Sequence, residues 1–143
     1  MEKTYKAMPI PATQQLDKEK NLGIFSNKIA ASLSGQGWIG KSCLLITDDK
    51  GPRVRWGTVL TDAPLKTGKP MKVKCGKCTK CIEACPVGAF TGRNFNPSEP
   101  REKRMLASKC KDFTEARRGS TGFHICGMCV YVCPFGKPKG GRK

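Results

Sequence analysis

The first apolar pattern in the chain has the spacing of a short helix. Ile29, Ala30 and Leu33 fall on one face of residues 27–34, and Ser26 stands before them as a candidate N-cap whose side chain can accept a backbone N–H of the first turn. A glycine follows directly, as is common where helices end. The pattern therefore predicts a helix over residues 27–34.

Two apolar runs after this helix predict β-strands. CLLIT occupies residues 43–47 and RVRWGTVL occupies residues 53–60, and both contain the β-branched side chains that strands favour. The five residues between them, DDKGP, have the composition of a turn. We expect the two strands to pair as a hairpin or to lie beside each other in one sheet. The glycine-rich segment 35–40 then serves only as a tight connection.

Polar segments separate and flank these elements. The chain divides into an extended arm without periodicity (1–26), a partial sheet-and-helix segment that ends in a Pro/Gly/Lys linker (27–70), a cysteine-rich domain (71–135) and a basic, low-complexity tail predicted to be disordered (136–143). Within the cysteine-rich domain, the charged stretch 100–110 predicts a short basic helix. The fold class expected from this organisation is α+β.

The chain has neither a secretory signal pattern nor a segment that could cross a bilayer. Residues 1–20 are polar, and the longest strongly apolar run, at 43–46, is far shorter than a membrane span. We therefore expect a soluble, cytoplasmic protein. In a reducing compartment, clustered cysteines are metal ligands more often than disulfides.

Eight of the nine cysteines lie in the second half of the chain and dominate it. Residues 75–86 read CGKCTKCIEACP, which is the C-x2-C-x2-C-x3-C-P run of bacterial ferredoxins. Residues 126–134 read CGMCVYVCP, a second run in which Phe123 stands where the regular pattern has a cysteine. Cys110, separated from Cys126 by fifteen residues, is the natural source of the missing ligand.

The spacing has a physical reason. Three thiolates placed two residues apart can curl around one iron–sulfur cube, whereas the fourth, one helical turn further on, points away and is free for a neighbouring cube. Crossing the two runs gives two complete ligand sets for two 4Fe–4S clusters, with Cys75, Cys78, Cys81 and Cys133 in the first set and Cys85, Cys110, Cys126 and Cys129 in the second set. Two structural zinc sites are the alternative, because C-x2-C knuckles also bind zinc. Cys43 is left over and is interpreted as a small buried hydrophobic residue in the first strand.

The net charge of +16 adds a prediction about partners. A 4Fe–4S cluster with four thiolates carries about −2, so two clusters would leave the chain at about +12. Such a surface favours an acidic redox protein or partner subunit, or nucleic acid. No RNA-binding motif with interleaved aromatic residues accompanies the charge.

The stretch before the cysteines has a recognisable pattern. GQGWIGK at 35–41, LLIT at 44–47, GPRVRW at 51–56 and VLTDAPL at 59–65, followed by the remote Cys110 and CGMCVYVCP, resemble epoxyqueuosine reductases and, more loosely, corrinoid-dependent reductive dehalogenases. The pattern is also similar to small 4Fe–4S double-cluster proteins of anaerobes, and it covers about residues 28–135.

This resemblance implies a domain that cups a cobalamin, of which residues 27–70 would be the last part, and a ferredoxin-like module that feeds electrons to the cobalt. The general acid of epoxyqueuosine reductases has no counterpart here, since only about 27 residues precede the matching stretch. We therefore expect either a truncated form or a chain completed by a corrinoid-binding partner or by self-association. No catalytic residue is assigned.

Three functions remain open from sequence. The first is an electron-transfer protein, or an electron-delivering subunit of a larger redox complex, rather than a complete enzyme. The second is a corrinoid-dependent reductase acting on tRNA or on a small molecule, and the third is a zinc-bound nucleic-acid module.

Four further side chains have two interpretations each. Trp38 and Trp56 could line a corrinoid or pack in the core. Asp62 could be catalytic, or it could cap a turn. His124 could tune the second cluster by a hydrogen bond, or it could lie on the surface.

Overall fold

A computed structural model describes residues 4–11, 15–17 and 22–137. In these ranges the chain forms short strands and helices, in a mixed α/β arrangement with two-stranded antiparallel sheets. In chain order the elements are β1 (Ala7–Ile10), β2 (Gln15–Asp17), β3 (Leu22–Gly23), α1 (Asn27–Leu33), β4 (Trp38–Ile39), β5 (Leu45–Ile46), β6 (Thr58–Thr61), α2 (Lys80–Glu83), a 3₁₀ turn (Arg101–Lys103), α3 (Ala107–Thr121) and α4 (Met128–Tyr131).

Helix α1 confirms the first prediction. The Ser26 hydroxyl accepts the backbone N–H of Ile29 at 3.3 Å, so the N-cap is the one that the sequence indicates. The helix ends at Leu33, and Gly35 follows with a positive φ of 80°. A glycine adopts this left-handed conformation at little cost, which lets the chain turn sharply into β4.

The predicted hairpin is wrong. β5 pairs with β4, which lies in the segment expected to be only a connection, and Trp38 stands opposite Ile46. The partner of β6 is β1, from the N-terminal arm. Both members of the Trp38–Ile46 pair are buried, so pairing β5 with β4 places two large apolar side chains in the core. Val59 and Leu60 of β6, by contrast, are exposed.

Part of the extended arm is therefore a paired strand. Thr61 donates its hydroxyl to the carbonyl of Lys6 at 2.8 Å, and the Lys6 N–H donates to Asp62 Oδ1 at 2.7 Å. Asp62 thus ties the end of β6 to the arm, and this contact is across the sheet and not the turn cap that the sequence indicates. Residues 1–3, 12–14 and 18–21 of the predicted arm, and residues 138–143 of the predicted tail, lie outside the described residues.

The predicted helix at 100–110 is replaced by the 3₁₀ turn Arg101–Lys103 and by the 15-residue helix α3, which is capped after Thr121 by Gly122 with φ 72°. None of the residues in α3 is buried, so it lacks the apolar stripe by which a helix is recognised in sequence. Across the described residues, no helix has both the length and the apolar character required to cross a membrane.

Two small apolar clusters form the core. Ala31, Ile39 and Leu45 make the first, against which Trp56 and Phe95 pack. In the second, Trp38, Ile46 and Cys133 are buried against Met71, Cys75 and Phe135. The Trp38 ring, 1% exposed, meets the Phe135 ring edge-on at a centroid distance of 4.9 Å. Packing therefore crosses the domain boundary predicted at residue 70, and the boundary itself stays a prediction.

Cys43 is buried, as expected, but it does not lie in a strand. It occupies a bend just before β5, with a positive φ of 55°. A non-glycine residue in this conformation is uncommon, because its Cβ approaches the backbone.

We predict that Gly51→Ala strongly destabilises the fold. A Cβ at Gly51 would lie 2.0 Å from the Phe135 carbonyl oxygen, and φ is +59° there. Overpacking and strain together should cost about 2 kcal/mol or more. Gly57→Ala is the matched control, since a Cβ there meets nothing within 4 Å. Thermal unfolding of the two variants measures the difference, and equal melting temperatures would contradict the packing described here.

Candidate metal centres

Four cysteines line a first cavity, which encloses about 340 Å³ of empty space, part of it open to solvent. The Cys78 N–H donates to the Cys75 carbonyl at 2.9 Å, and Gly76 supplies the positive φ of 50° that this turn needs. Lys41, Ile46 and Phe135 form part of the remaining wall. The four cysteines of the first cavity are Cys75, Cys78, Cys81 and Cys133.

Four other cysteines line a second cavity, of about 590 Å³ of empty space measured in the same way. They come from the end of the first cysteine run, from helix α3, and from the second run around α4. Phe90, Phe113 and Ile125 add apolar walls. The cysteines of the second cavity are Cys85, Cys110, Cys126 and Cys129.

The grouping of the cysteines is the interleaved one expected from spacing. Each run contributes to both cavities, and helices α2 and α4, which carry Cys81 and Cys129, contact each other. Phe123 is 70% exposed and does not line the second cavity, whereas Cys110 does. The structure thus brings all eight predicted residues together in two quartets, and their role as iron ligands stays a prediction.

The spacing of the sulfurs matters for the kind of metal. Across residues 4–11, 15–17 and 22–137, no group of three or more His, Cys, Asp or Glu residues is arranged to hold a single metal ion. In a 4Fe–4S cube each thiolate binds a different iron, so the thiolates stand further apart than around one zinc ion. Four thiols around an open cavity fit the needs of a cube.

The electrostatics of both cavities call for a cation. Burial, together with the neighbouring Cys75 and Cys78, raises the pKa of Cys81 to about 11. Burial likewise raises the pKa of Cys129 to about 11, with Cys110 the next largest cause. Thiols crowded in this way resist ionisation unless positive charge lies among them. Bound iron would supply that charge, because metal ligands must be thiolates.

Lys41 is a residue of the first cavity that the cysteine spacing does not indicate. Its buried ammonium group donates to the carbonyl of Gly76 at 2.8 Å and to that of Cys78 at 3.2 Å. This side chain therefore anchors the first cysteine loop to the segment before it. It also places a positive charge beside the cavity. Its only signal in the sequence was membership of the GWIGK stretch.

Arg53 has the same role at the second run. Its guanidinium donates to four backbone carbonyls around the end of α4, at 2.8 to 3.3 Å, and these belong to residues 130, 131, 133 and 135. In the first run, the Ala89 N–H donates to the Cys85 sulfur at 3.3 Å. Such contacts with backbone atoms leave no trace in residue spacing, so the sequence could not reveal them.

The remaining candidates lie in different places. His124 lines the second cavity, although it is exposed, and its Nε2 stands 3.3 Å from the Thr114 hydroxyl. Trp38 is buried in the second core cluster, whereas Trp56 is half-buried and packs against the first core cluster.

Comparison with known proteins agrees with this geometry. Residues 74–136 match the family model of the "4Fe-4S double cluster binding domain". The epoxyqueuosine reductase of Bacillus cereus is 35% identical over 120 residues, which cover 80% of this chain and 30% of that protein. The epoxyqueuosine reductase of Bacillus subtilis is 31% identical over 122 residues, which cover 82% of this chain and 31% of that protein. Over this stretch, the chain is similar to the epoxyqueuosine reductases.

Solved structures of these reductases share its fold. A crystal structure of selenomethionine-labelled epoxyqueuosine reductase is 25% identical, with a TM-score of 0.64 over 96% of this chain and 35% of that one. Epoxyqueuosine reductase solved with a tRNA-Tyr epoxyqueuosine-modified tRNA stem loop is 24% identical, with a TM-score of 0.66 over 96% and 35%. The chain spans about a third of the length of the relatives that it matches.

We predict that Arg53→Met loosens the end of the second cysteine run. Four carbonyls lose a charged donor, and such hydrogen bonds contribute about 1.5–3 kcal/mol when sheltered and less when exposed. Amide hydrogen exchange in residues 130–136 should therefore accelerate about tenfold or more. Arg55 is an exposed side chain two residues further along, and Arg55→Met removes the same charge. This control variant should leave amide exchange in residues 130–136 unchanged. Equal exchange in both variants would show that Arg53 does not hold this segment.

Proposed function

We propose that this chain is an iron–sulfur electron-transfer module with a ferredoxin-like arrangement of two 4Fe–4S clusters, acting as the electron-delivering part of a larger redox complex. The observation that carries the proposal is the convergence of eight cysteines on two cavities, within the region that matches the 4Fe–4S double cluster binding domain. Cys75, Cys78, Cys81 and Cys133 would hold one cluster, and Cys85, Cys110, Cys126 and Cys129 the other.

Bound clusters would supply reversible one-electron transfer, at potentials set by hydrogen bonding and exposure. The chain's own contribution is to hold and tune them. Lys41 offsets cluster charge at the first cavity, and the Ala89 N–H donates to one sulfur of the second. Helices α2 and α4, which carry one cysteine of each quartet, contact each other, so electrons could pass from one site to the other through the protein.

The surface charge supports an acidic redox partner. A net charge of +16, or about +12 with two clusters, would attract such a protein electrostatically and speed its docking. All nine cysteines are free thiols in the structure, which suits a reducing compartment such as the cytoplasm.

A corrinoid-dependent reductase is the second candidate, and similarity to epoxyqueuosine reductases favours it. One relative has been solved with a tRNA stem loop, so tRNA is a substrate to test. Because the chain spans about a third of these relatives, a partner chain or self-association would have to complete the reductase. Cobalamin retained through anaerobic purification, seen in the absorption spectrum, would favour this candidate over the first.

The principal test is metal analysis of the anaerobically purified chain. We predict about eight irons and eight sulfides per chain, with absorption near 400 nm that dithionite bleaches. Cys78→Ser should remove the first cluster and expose the second to loss, because each cysteine run serves both cavities. Cys43→Ala is the matched control, since this cysteine is buried away from both cavities and should leave the iron content unchanged.

Two results would count against the interleaved arrangement. A Cys78→Ser protein that keeps one fully intact cluster and unchanged stability would show that the two sites are independent. A colourless protein with zinc and no iron would replace the electron-transfer proposal with the zinc alternative.

Cys110 offers a separate test of the second site. We predict that Cys110→Ser damages the second cluster, because the thiol on α3 is the fourth of that cavity. Adding Phe123→Cys, at the position that regular ferredoxin spacing uses, should restore part of the iron content if the loop can move inward. Electron paramagnetic resonance of the reduced variants gives the number of clusters. A silent Cys110→Ser substitution would mean that another residue is the ligand.

A further inference from the structure

A third cavity lies apart from both cysteine quartets. It is bordered by the start of α1, by β4 and by residues 95–104, and it encloses about 1160 Å³ of empty space, part of it open to solvent. It shares no lining residue with the two cysteine cavities. We call it the basic cavity, because its charged lining residues are Lys28, Arg101 and Arg104.

The charge of the basic cavity has one sign. Among the described residues that line it there is no aspartate or glutamate. Glu102 pairs with Arg101 at 3.0 Å but is itself exposed and does not line the cavity. Burial lowers the pKa of Lys28, and Arg101 and Arg104 lower it further, so the three cations oppose one another. An anion placed among them would relieve this repulsion.

Several polar atoms in the wall are buried without partners. Arg104 is only 7% exposed, and its Nε has no hydrogen-bond partner among the described residues. The same holds for Trp56 Nε1, a donor, and for Asn27 Oδ1, an acceptor. Buried polar groups of this kind usually have a hydrogen-bond partner, because a buried group without one costs about 1–3 kcal/mol of stability. A ligand in the cavity could satisfy them.

The walls also offer aromatic surface. Trp56, Phe25 and Phe95 line the cavity, and the Arg104 guanidinium lies over the Phe95 ring at 4.7 Å. Lys28 already donates one N–H to the Cys43 carbonyl at 2.8 Å, which leaves two for a ligand. The position of both cationic side chains is therefore fixed by contacts with the protein before a ligand arrives.

We infer that the basic cavity binds a small ligand that joins a phosphate to an aromatic ring, of the nucleotide class. Arginine and lysine together are the usual recognition groups for phosphate. Phe25 and Phe95 provide faces against which a base can stack. The unpaired Trp56 donor and Asn27 acceptor can read the edge of that base. This inference is independent of the clusters, which occupy other parts of the chain.

Isothermal titration calorimetry on the anaerobically purified full chain tests the inference, with adenosine 5′-monophosphate as the probe. We expect the nucleotide to bind, and adenosine and inorganic phosphate each to bind about tenfold or more weakly, since each offers only half of the contacts. Adenosine or phosphate binding as tightly as the nucleotide would overturn the inference. So would binding of an RNA stem loop without binding of the nucleotide.

Lys28→Gln should weaken nucleotide binding about tenfold or more, because it removes a charged donor from the cavity. Lys66→Gln removes an equal charge from an exposed lysine outside the cavity and should change binding less than about twofold. Should Lys28→Gln fail to fold, Trp56→Phe supplies the second variant, since it keeps an aromatic ring but has no N–H to donate. Equal nucleotide binding by the Lys28 and Lys66 variants would contradict the inference. If the Lys28 variant is unfolded, equal binding by the Trp56→Phe variant and the unaltered chain would contradict it instead.

Discussion

The second half of this chain depends on how thiols crowd around two cavities. Helices α2, α3 and α4, all within the described residues, contain no buried side chain, so they cannot be held by an ordinary apolar core. Their cysteines meet in two quartets in which burial and mutual proximity raise the pKa of several thiols. A small domain with so little apolar burial is typically stabilised by cross-links or metals. Filled with iron and sulfide, the cavities would become the core of this region.

The first half of the chain supports these cavities from outside. Lys41 and Arg53 project from the segment before the cysteines and bind backbone carbonyls of the two runs. Trp38 packs on Phe135, and the backbones of residues 50–51 and 135–136 approach so closely that only glycine fits at Gly51 and Gly136. The segment that resembles part of a reductase domain is thus also the scaffold of the cysteine loops.

The sequence predicted the site better than the fold. Metal-ligand spacing is strict, so the sequence alone could assign Cys110 to the same quartet as Cys85, and Cys133 to the same quartet as Cys75. The two cavities group the same residues. Strand pairing was wrong because strands as short as β4 and β5 carry too little pattern to name a partner. Helix α3 was missed over most of its length since none of its side chains is fully buried. The roles of Lys41 and Arg53 depend on backbone acceptors, which composition does not encode.

The crossing of the two runs makes the module indivisible. A chain cut anywhere between residues 86 and 109 would leave one piece with three thiols of the first quartet and one of the second, and the other piece with the converse shortage. Neither fragment would contain a complete quartet of thiols. Gene duplication, domain shuffling or engineering can therefore transfer residues 71–135 only as one unit. The stretch between the two cysteine runs is free to vary as long as Cys110 still reaches its quartet.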